Sequence, residues 1–417
     1  MEENLQIRPD AGRMQNHIEA LARLTTPEHP YTRRSFTPLY RQGRELVTRW
    51  MQEAGLEVSL DQAANLVGWR AGDNPGLPAI AIGSHTDTVP EGGRFDGIIG
   101  VVAAIEIAHC LSEQSITLHH PLEVIDYLAE EPSEFGISTV GSRAMAGALS
   151  PEHLRLTDSS GRALAQGIAE MGGHPEQIEA ARRQPGTLAL SLELHIEQGP
   201  VLEETGLPIG IVTGLVGIHR AAIRLEGVAN HAGTTPMAMR KDALAGAAEI
   251  ILALERLCQT TAGQAVGTIG MIAAAPNASN IIAGQVNLVA EWRSIDPALL
   301  EHLADDVEQH IREITSRRGL RLTYSPLSDT EPVQVPEEVQ TLLKHTCESL
   351  GLRTHSLPSG AGHDTNHLAA LASAGMLFIP SRAGRSHCPE EWSEIEDIVQ
   401  GALVLGQAIL AFDRGQS

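Results

Sequence analysis

Four apolar segments of this chain run straight into residues that can ligate metal ions, and this recurrence constrains the fold more than any other feature. Pro78–Gly83 leads into Ser84-His85-Thr86-Asp87, and Leu122–Leu128 leads into Ala129-Glu130-Glu131. Leu188–Leu194 leads into His195-Ile196-Glu197, and Met376–Pro380 leads through a glycine loop into Ser386-His387. Short continuous apolar runs mark strands buried on both faces, as in parallel sheets covered by helices. Open sheets of that kind bind ligands beyond the carboxyl ends of their strands, so these four segments can converge on one crevice.

The surrounding rhythm is that of an α/β domain with a mainly parallel sheet. Helical spacing fills about Met14–Ala54, with Leu46, Val47, Trp50 and Met51 in register before the Gly55 stop. Between roughly Gly214 and Ser328 the pattern changes. A strand near Ala221–Gly227 and a helix near Lys241–Cys258 precede strands near Ala265–Ile272 and Val286–Arg293. A second helix opens on the Asp296-Pro297 cap with Leu300, Leu303, Val307 and Ile311 on one face, and a strand near Leu320–Tyr324 follows. That βαββαβ order is ferredoxin-like. A chain of 417 residues exceeds the usual size of one core. The expectation is therefore a catalytic domain, residues 1–213 and 329–417, interrupted by an inserted domain at residues 214–328.

The chemistry lies in the strand-end segments. His85 and Asp87 are two residues apart, a spacing that points side chains the same way along a strand and lets Asp87 accept the second ring N–H of a ligating His85. Asp96 sits in the turn Gly92-Gly93-Arg94-Phe95-Asp96-Gly97, and its two oxygens can bridge two cations, as an imidazole cannot. Glu130 and Glu131 are adjacent, so on a strand they face opposite ways: one can bind metal while the other moves protons.

Gly83–Val89, Asp96-Gly97, Glu130-Glu131, His195–Pro200, Asn230–Met237, Ser359–Asp364, Arg33–Thr37, Pro380-Ser381 and Ser386-His387 together span nearly the whole chain. In these motifs the sequence resembles the allantoate amidohydrolase and N-carbamoyl-L-amino-acid hydrolase branch of the dinuclear metal aminoacylases and carboxypeptidases. The resemblance implies two divalent ions per subunit, His85 and His195 holding one, Glu131 and His387 the other, with Asp96 between them. It implies Glu130 as general base and Asp87 as the residue orienting His85. Nitrogen and oxygen donors without thiolate suit zinc, manganese, cobalt or nickel. The chain departs from the family pattern after the paired glutamates, where Pro132-Ser133-Glu134-Phe135 replaces Gly-Ser-Arg-Phe and reverses a charge near the metals.

For the substrate, the resemblance implies His231 as a donor to the tetrahedral oxyanion, reaching a partner subunit's site in a homodimer, so that the inserted domain serves as lid and dimerisation domain. Asn280 and Arg293 are similar to the family's carboxylate clamp, although Arg293 can also pair with Glu291 or Asp296. Gln198, His219 and His363 are expected in the pocket, and Arg385, where the family has an apolar residue, is a candidate specificity contact. The expected reaction is ammonia-releasing hydrolysis of a ureido acid. An aminoacylase or dipeptidase is the alternative within the same chemistry, and a silent metal-binding relative is the alternative outside it.

Composition narrows the partners. A formal charge of −22 argues against nucleic acid and anionic membranes, and 3% aromatics offers no stacking platform. It leaves room for a small carboxylate substrate, whose local field a metal pair and a few arginines dominate. No run is expected to reach transmembrane length, and Met1-Glu2-Glu3-Asn4 opens no basic-then-apolar leader. Cys110, Cys258, Cys347 and Cys388 are scattered, which fits a reducing cytoplasm.

Overall fold

The computed structural model describes residues 6–415; the opening Met1-Glu2-Glu3-Asn4, on which the leader expectation rests, lies outside the described residues. The chain forms two compact units. The first comprises Met1–Thr213, Val335–Leu357 and His363–Ser417, and the second Gly214–Gln334 and Pro358–Gly362. Residues 329–334, assigned by the sequence to the outer domain, thus group with the inserted one, as does the short segment around Gly360.

The first unit is built on a sheet whose strands lie in the order Glu57–Leu60, Leu66–Arg70, Leu122–Tyr127, Ala79–His85, Leu188–Ile196, Ser373–Ile379 and Ile209–Leu215. Three neighbouring pairs in its centre are parallel, joining Leu122–Tyr127, Ala79–His85, Leu188–Ile196 and Ser373–Ile379. The outer pairs are antiparallel. The sheet is therefore mixed, not mainly parallel. Five residues between Leu60 and Leu66 close a hairpin, whereas a parallel pair needs a crossover such as the helix Ile98–Glu113. All seven residues of Ala79–His85 and all six of Leu122–Tyr127 are buried, which explains why they are largely apolar, with Ser84, His85, Glu123 and Asp126 buried among them.

The helices follow their sequences closely. Asp10 and Thr37 cap Ala11–Ala22 and Pro38–Glu53 by accepting from backbone amides. Ile98–Glu113 is apolar on every side and correspondingly buried from Ile98 to Ala108. Ile395–Asp413, 19 residues, corrects the expectation about transmembrane length: by length and composition it is apolar enough to cross a membrane. Here Ile398, Ala402, Leu405 and Ile409 are core residues, and the helix packs on Ile98–Glu113 and on the Ser373–Ile379 strand.

In the second unit four antiparallel strands lie in the order Arg321–Thr330, Gly217–Glu226, Gln285–Ser294, Ala265–Ala275. Helices Ala243–Gln259 and Pro297–Arg318 cover one face, each capped by an aspartate, Asp242 and Asp296. Strand residues alternate strictly: Val286, Leu288, Ala290 and Trp292 join Leu300, Leu303, Val307 and Ile311 in the core, while the odd-numbered residues of Gln285–Ser294 face the other way.

Candidate metal centre

Each candidate ligand of the first unit stands at the carboxyl end of a buried strand or in the loop beyond it. His85 ends Ala79–His85, and His195 lies one residue before the end of Leu188–Ile196. Both rings are fixed the same way. His85 Nδ1 lies 3.1 Å from the Asp87 carbonyl oxygen, and His195 Nδ1 lies 2.9 Å from that of Ile196. A carbonyl only accepts, so each Nδ1 carries a proton and each Nε2 is turned into the site. The two rings are 6.0 Å apart between centroids.

The turn that carries Asp96 passes directly over His85. Gly97 has φ 69°, and a Cβ there would lie 2.2 Å from His85 Nε2, so only glycine lets the backbone pass. Asp96 Oδ1 stands 3.6 Å from His195 Nε2, and Asp96 Oδ2 stands 3.0 Å from His387 Nε2. His387 Nε2 is also 3.2 Å from Glu131 Oε1. Asp96, Glu131 and His387 thus bring donor atoms within 4.8 Å of one another, as do Glu193, His195 and His363. Glu130 Oε2 lies 3.5 Å from His85 Nε2.

Several placements differ from the sequence reading. Glu130 and Glu131 lie beyond the strand, which ends at Tyr127, and Ala129 turns the chain with φ 51°. What separates the two side chains is this turn, held by Asp87: its Oδ1 accepts from the Glu130 amide and its Oδ2 from the Glu131 amide, each at 3.2 Å. The Asp87 carboxylate therefore orders the glutamates, and Asp87 also holds the His85 ring, whose Nδ1 lies 3.1 Å from its carbonyl oxygen and 3.4 Å from its Oδ1. Gln198, expected against substrate, donates its side-chain amide to Asp96 Oδ1 at 2.7 Å. His363 is buried edge-on to His195, with ring centroids 4.5 Å apart. Glu134 is exposed between the buried Ser133 and Phe135, so the charge reversal at that position falls on the outer side of the loop. Arg385 is exposed, and Cys388 is a half-buried free thiol.

The electrostatics show what these groups need. Burial pushes the Glu130 carboxyl well up, against the pull of His85. Burial likewise raises Glu131 and Asp364. Burial also works against ionisation of Asp96, but the hydrogen bond with His387 and the nearby His195 hold its carboxyl below the usual range. Asp96 and Glu131 together raise His387 to about 11. Buried carboxylates crowded this closely require compensating positive charge. His195 Nε2, buried and with no hydrogen-bond partner, faces them, 3.6 Å from Asp96 Oδ1. An imidazole and carboxylate donor set with an orphaned ring nitrogen fits a divalent cation.

Sequence reasoning passed over two residues here. Glu193 shares a strand face with His195 and accepts from the hydroxyls of Ser84 and Thr365, each at 2.7 Å. Its two-residue spacing from His195 was the available signal. Glu391, fully buried, accepts from the amides of Phe95 and Asp96. Nothing in the run Glu390-Glu391 distinguishes the buried carboxylate from its neighbour.

The remaining candidates belong to the second unit. His231 is exposed, and its Nδ1 accepts from the amides of Gly233 at 3.0 Å and Thr234 at 3.2 Å, which leaves the proton on Nε2. Asn280 is adjacent, its carbonyl accepting from the Ala232 amide. Arg293 is engaged elsewhere: Nε donates to Glu291 at 2.7 Å and Nη1 to the Gly360 carbonyl at 2.8 Å. His219 pairs with Trp292 across the ladder and stands 3.8 Å from Glu301 on the helix. It therefore faces the helical layer, on the opposite sheet face from Arg293, and the two do not share a pocket wall.

Comparison with known proteins follows the same lines. The model of peptidase family M20/M25/M40 matches residues 81–411. The chain is 40% identical over 390 residues to an N-carbamoyl-L-amino acid amidohydrolase of Geobacillus stearothermophilus, covering 94% of this chain and 95% of that protein. It is 34% identical over 401 residues to an allantoate deiminase of Arabidopsis thaliana, covering 89% of this chain and 76% of that one. Among solved structures, an amidase of the hydantoinase/carbamoylase family from Burkholderia multivorans matches with a TM-score of 0.87 at 33% identity, covering 97% of this chain and 98% of that one.

Proposed function

This chain belongs to peptidase family M20/M25/M40, and from that premise we propose that it releases ammonia from the linear ureido group of an N-carbamoyl-L-amino acid, allantoate, ureidoglycolate or ureidopropionate. It is a hydrolase of linear amide C–N bonds. The observation that carries the finer reading is the cluster of His85, Asp96, Glu131, His195 and His387 beside the buried Glu130.

In this reading His85 and His195 would hold one divalent ion and Glu131 and His387 a second, with Asp96 able to offer an oxygen to each. When bound, two such ions acidify a water and draw charge from the carbonyl oxygen. Glu130 takes the water's proton and returns it to the leaving nitrogen; its raised affinity for protons suits a group that must hold one between two steps. Asp87 keeps Glu130 and Glu131 in place through their amides. Gln198 steers Asp96.

We read the second unit as a ferredoxin-like lid and dimerisation unit. His231, with its proton on the exposed Nε2, serves as oxyanion donor from the partner subunit of a homodimer. Asn280 and Arg293 clamp the substrate carboxylate, which Arg293 reaches by exchanging Glu291 for it. His363 narrows the pocket beside His195, and Arg385 contacts the substrate side chain.

An ammonia-release screen across N-carbamoyl-L-amino acids, allantoate, ureidoglycolate and ureidopropionate tests the proposal, run with zinc, manganese, cobalt and nickel. Ammonia from at least one ureido acid supports it. Cleavage of N-acyl amino acids or dipeptides with no ammonia from any ureido acid overturns it.

A further inference from the structure

A second-metal site built from Asp96 and His387 asks two separate loops to hold their ligands to within a few tenths of an ångström. These residues stand 291 positions apart in the chain, and neither lies in a strand or helix. His387 is the less restrained: its side chain is 47% exposed, and its backbone sits at φ 55°, a conformation that persists in a non-glycine residue only where surrounding contacts enforce it.

One buried carboxylate joins the two loops. Glu391 Oε1 accepts from the backbone amides of Phe95 at 2.8 Å and Asp96 at 3.1 Å. Its Oε2 accepts from the hydroxyl of Ser386, the residue before His387, at 3.0 Å. The Glu391 amide donates to the Cys388 carbonyl at 3.0 Å and closes the loop that presents His387. The fit leaves no slack, because a Cβ at Gly93 would lie 1.7 Å from Glu391 Oε1. On either side the rings of Phe95 and Trp392 pack edge to face at 5.5 Å, so the two loops are also clamped by their apolar neighbours.

We infer that Glu391 is a positioning residue which sets the spacing of Asp96 and His387 and thereby the affinity of the ion held by Asp96, Glu131 and His387. The inference rests on the di-metal reading above. An ionised glutamate only accepts hydrogen bonds, which suits a site that offers three donors. Glutamine keeps a carbonyl oxygen for the two amides, and its NH₂ can donate to the Ser386 oxygen. Alanine leaves both amides without a partner and frees the His387 loop.

The test titrates zinc into chelator-stripped full-length protein against a competing chromophoric chelator, alongside thermal unfolding of the stripped protein. Wild type takes up two ions. Glu391→Ala weakens one of them about 10- to 100-fold, the range seen when partners that orient metal ligands are removed, while Glu391→Gln stays within about threefold of wild type. Ser386→Ala, which leaves the buried carboxylate and its two amide bonds intact, weakens the same ion severalfold. Should Glu391→Ala fail to fold, the Ser386→Ala and Glu391→Gln pair decides. Wild-type affinities at both sites in Glu391→Ala, or in Ser386→Ala where the former does not fold, overturn the inference and leave the di-metal reading standing. Loss of affinity in Glu391→Gln equal to that in Glu391→Ala overturns positioning in favour of charge. Absence of any uptake by the wild type overturns the di-metal reading and this inference with it.

Discussion

Asp87→Asn separates two accounts of how the centre is organised. Asp87 is fully buried, and each of its carboxylate oxygens accepts one backbone amide, from Glu130 and from Glu131. Asparagine offers a single acceptor oxygen, so one amide then faces an NH₂ donor. A buried N–H left without an acceptor costs about 1–3 kcal/mol. If that cost falls on the loop geometry from which Glu130 works, kcat/KM drops by about 5- to 150-fold, since each 1.36 kcal/mol is a factor of ten. The shorter contact to the His85 ring, 3.1 Å against 3.4 Å for Oδ1, runs to the Asp87 backbone carbonyl, which the substitution leaves in place. The ion at His85 and His195 should therefore stay bound. The assay is ammonia release at saturating metal, with metal content measured on the same sample. A kcat/KM within about twofold of wild type would refute the claim that Asp87 orders the glutamates. A loss of activity that tracks loss of an ion would instead give the greater weight to the Asp87 Oδ1 contact with His85.

Three further outcomes are expected. Glu130→Gln keeps wild-type metal uptake and lowers kcat by about 10²- to 10⁴-fold, and an activity near that of wild type in a direct turnover assay would end its role as general base. Arg293→Lys raises KM about tenfold with little change in kcat, because an ammonium cannot hold a carboxylate in two parallel bonds; an unchanged KM in steady-state kinetics removes it from the clamp. His17, stacked on Trp50 with ring centroids 4.0 Å apart, has its pKa lowered to about 4 by burial, then by His109 and Arg13. The unfolded chain takes up that proton near the ordinary value of 6.5, so the stabilisation is complete above it and is lost as pH falls from there towards about 4. His17→Phe should flatten the fall of Tm across that window, and an unaltered slope counts against the assignment.

The strand-end logic was legible because burial on both faces leaves a continuous signal. Ala79–His85 and Leu122–Tyr127 read as largely apolar runs since every residue in them is covered, and the polar residues that follow emerge at the strands' carboxyl ends. The second unit was legible for a different reason: its strands alternate, and Asp242 and Asp296 announce their helices. The mixed character of the large sheet was less accessible. Direction depends on whether a connection is a hairpin or a crossover, and an apolar run looks alike in either.

What the sequence hid is the direction of side chains and the partners they find across long separations. Period-two alternation does carry facing information, and it was there to be used for His219: counted from the core residues Ala221, Ile223 and Leu225, it shares their parity and must face the helices, away from Arg293. The pairing of Arg293 with Glu291 was likewise readable, since both have the same parity two residues apart on one strand. Glu391 had no such local signature. Its three donors come from residues 95, 96 and 386, and only the fold brings those together. Candidate ligands are therefore easier to read from a sequence than the groups that would aim them. A ligand is marked by its own chemistry at a strand end. A positioning group is an ordinary buried carboxylate until its distant partners are known, as Glu391 is until the donors of Phe95, Asp96 and Ser386 are brought to it.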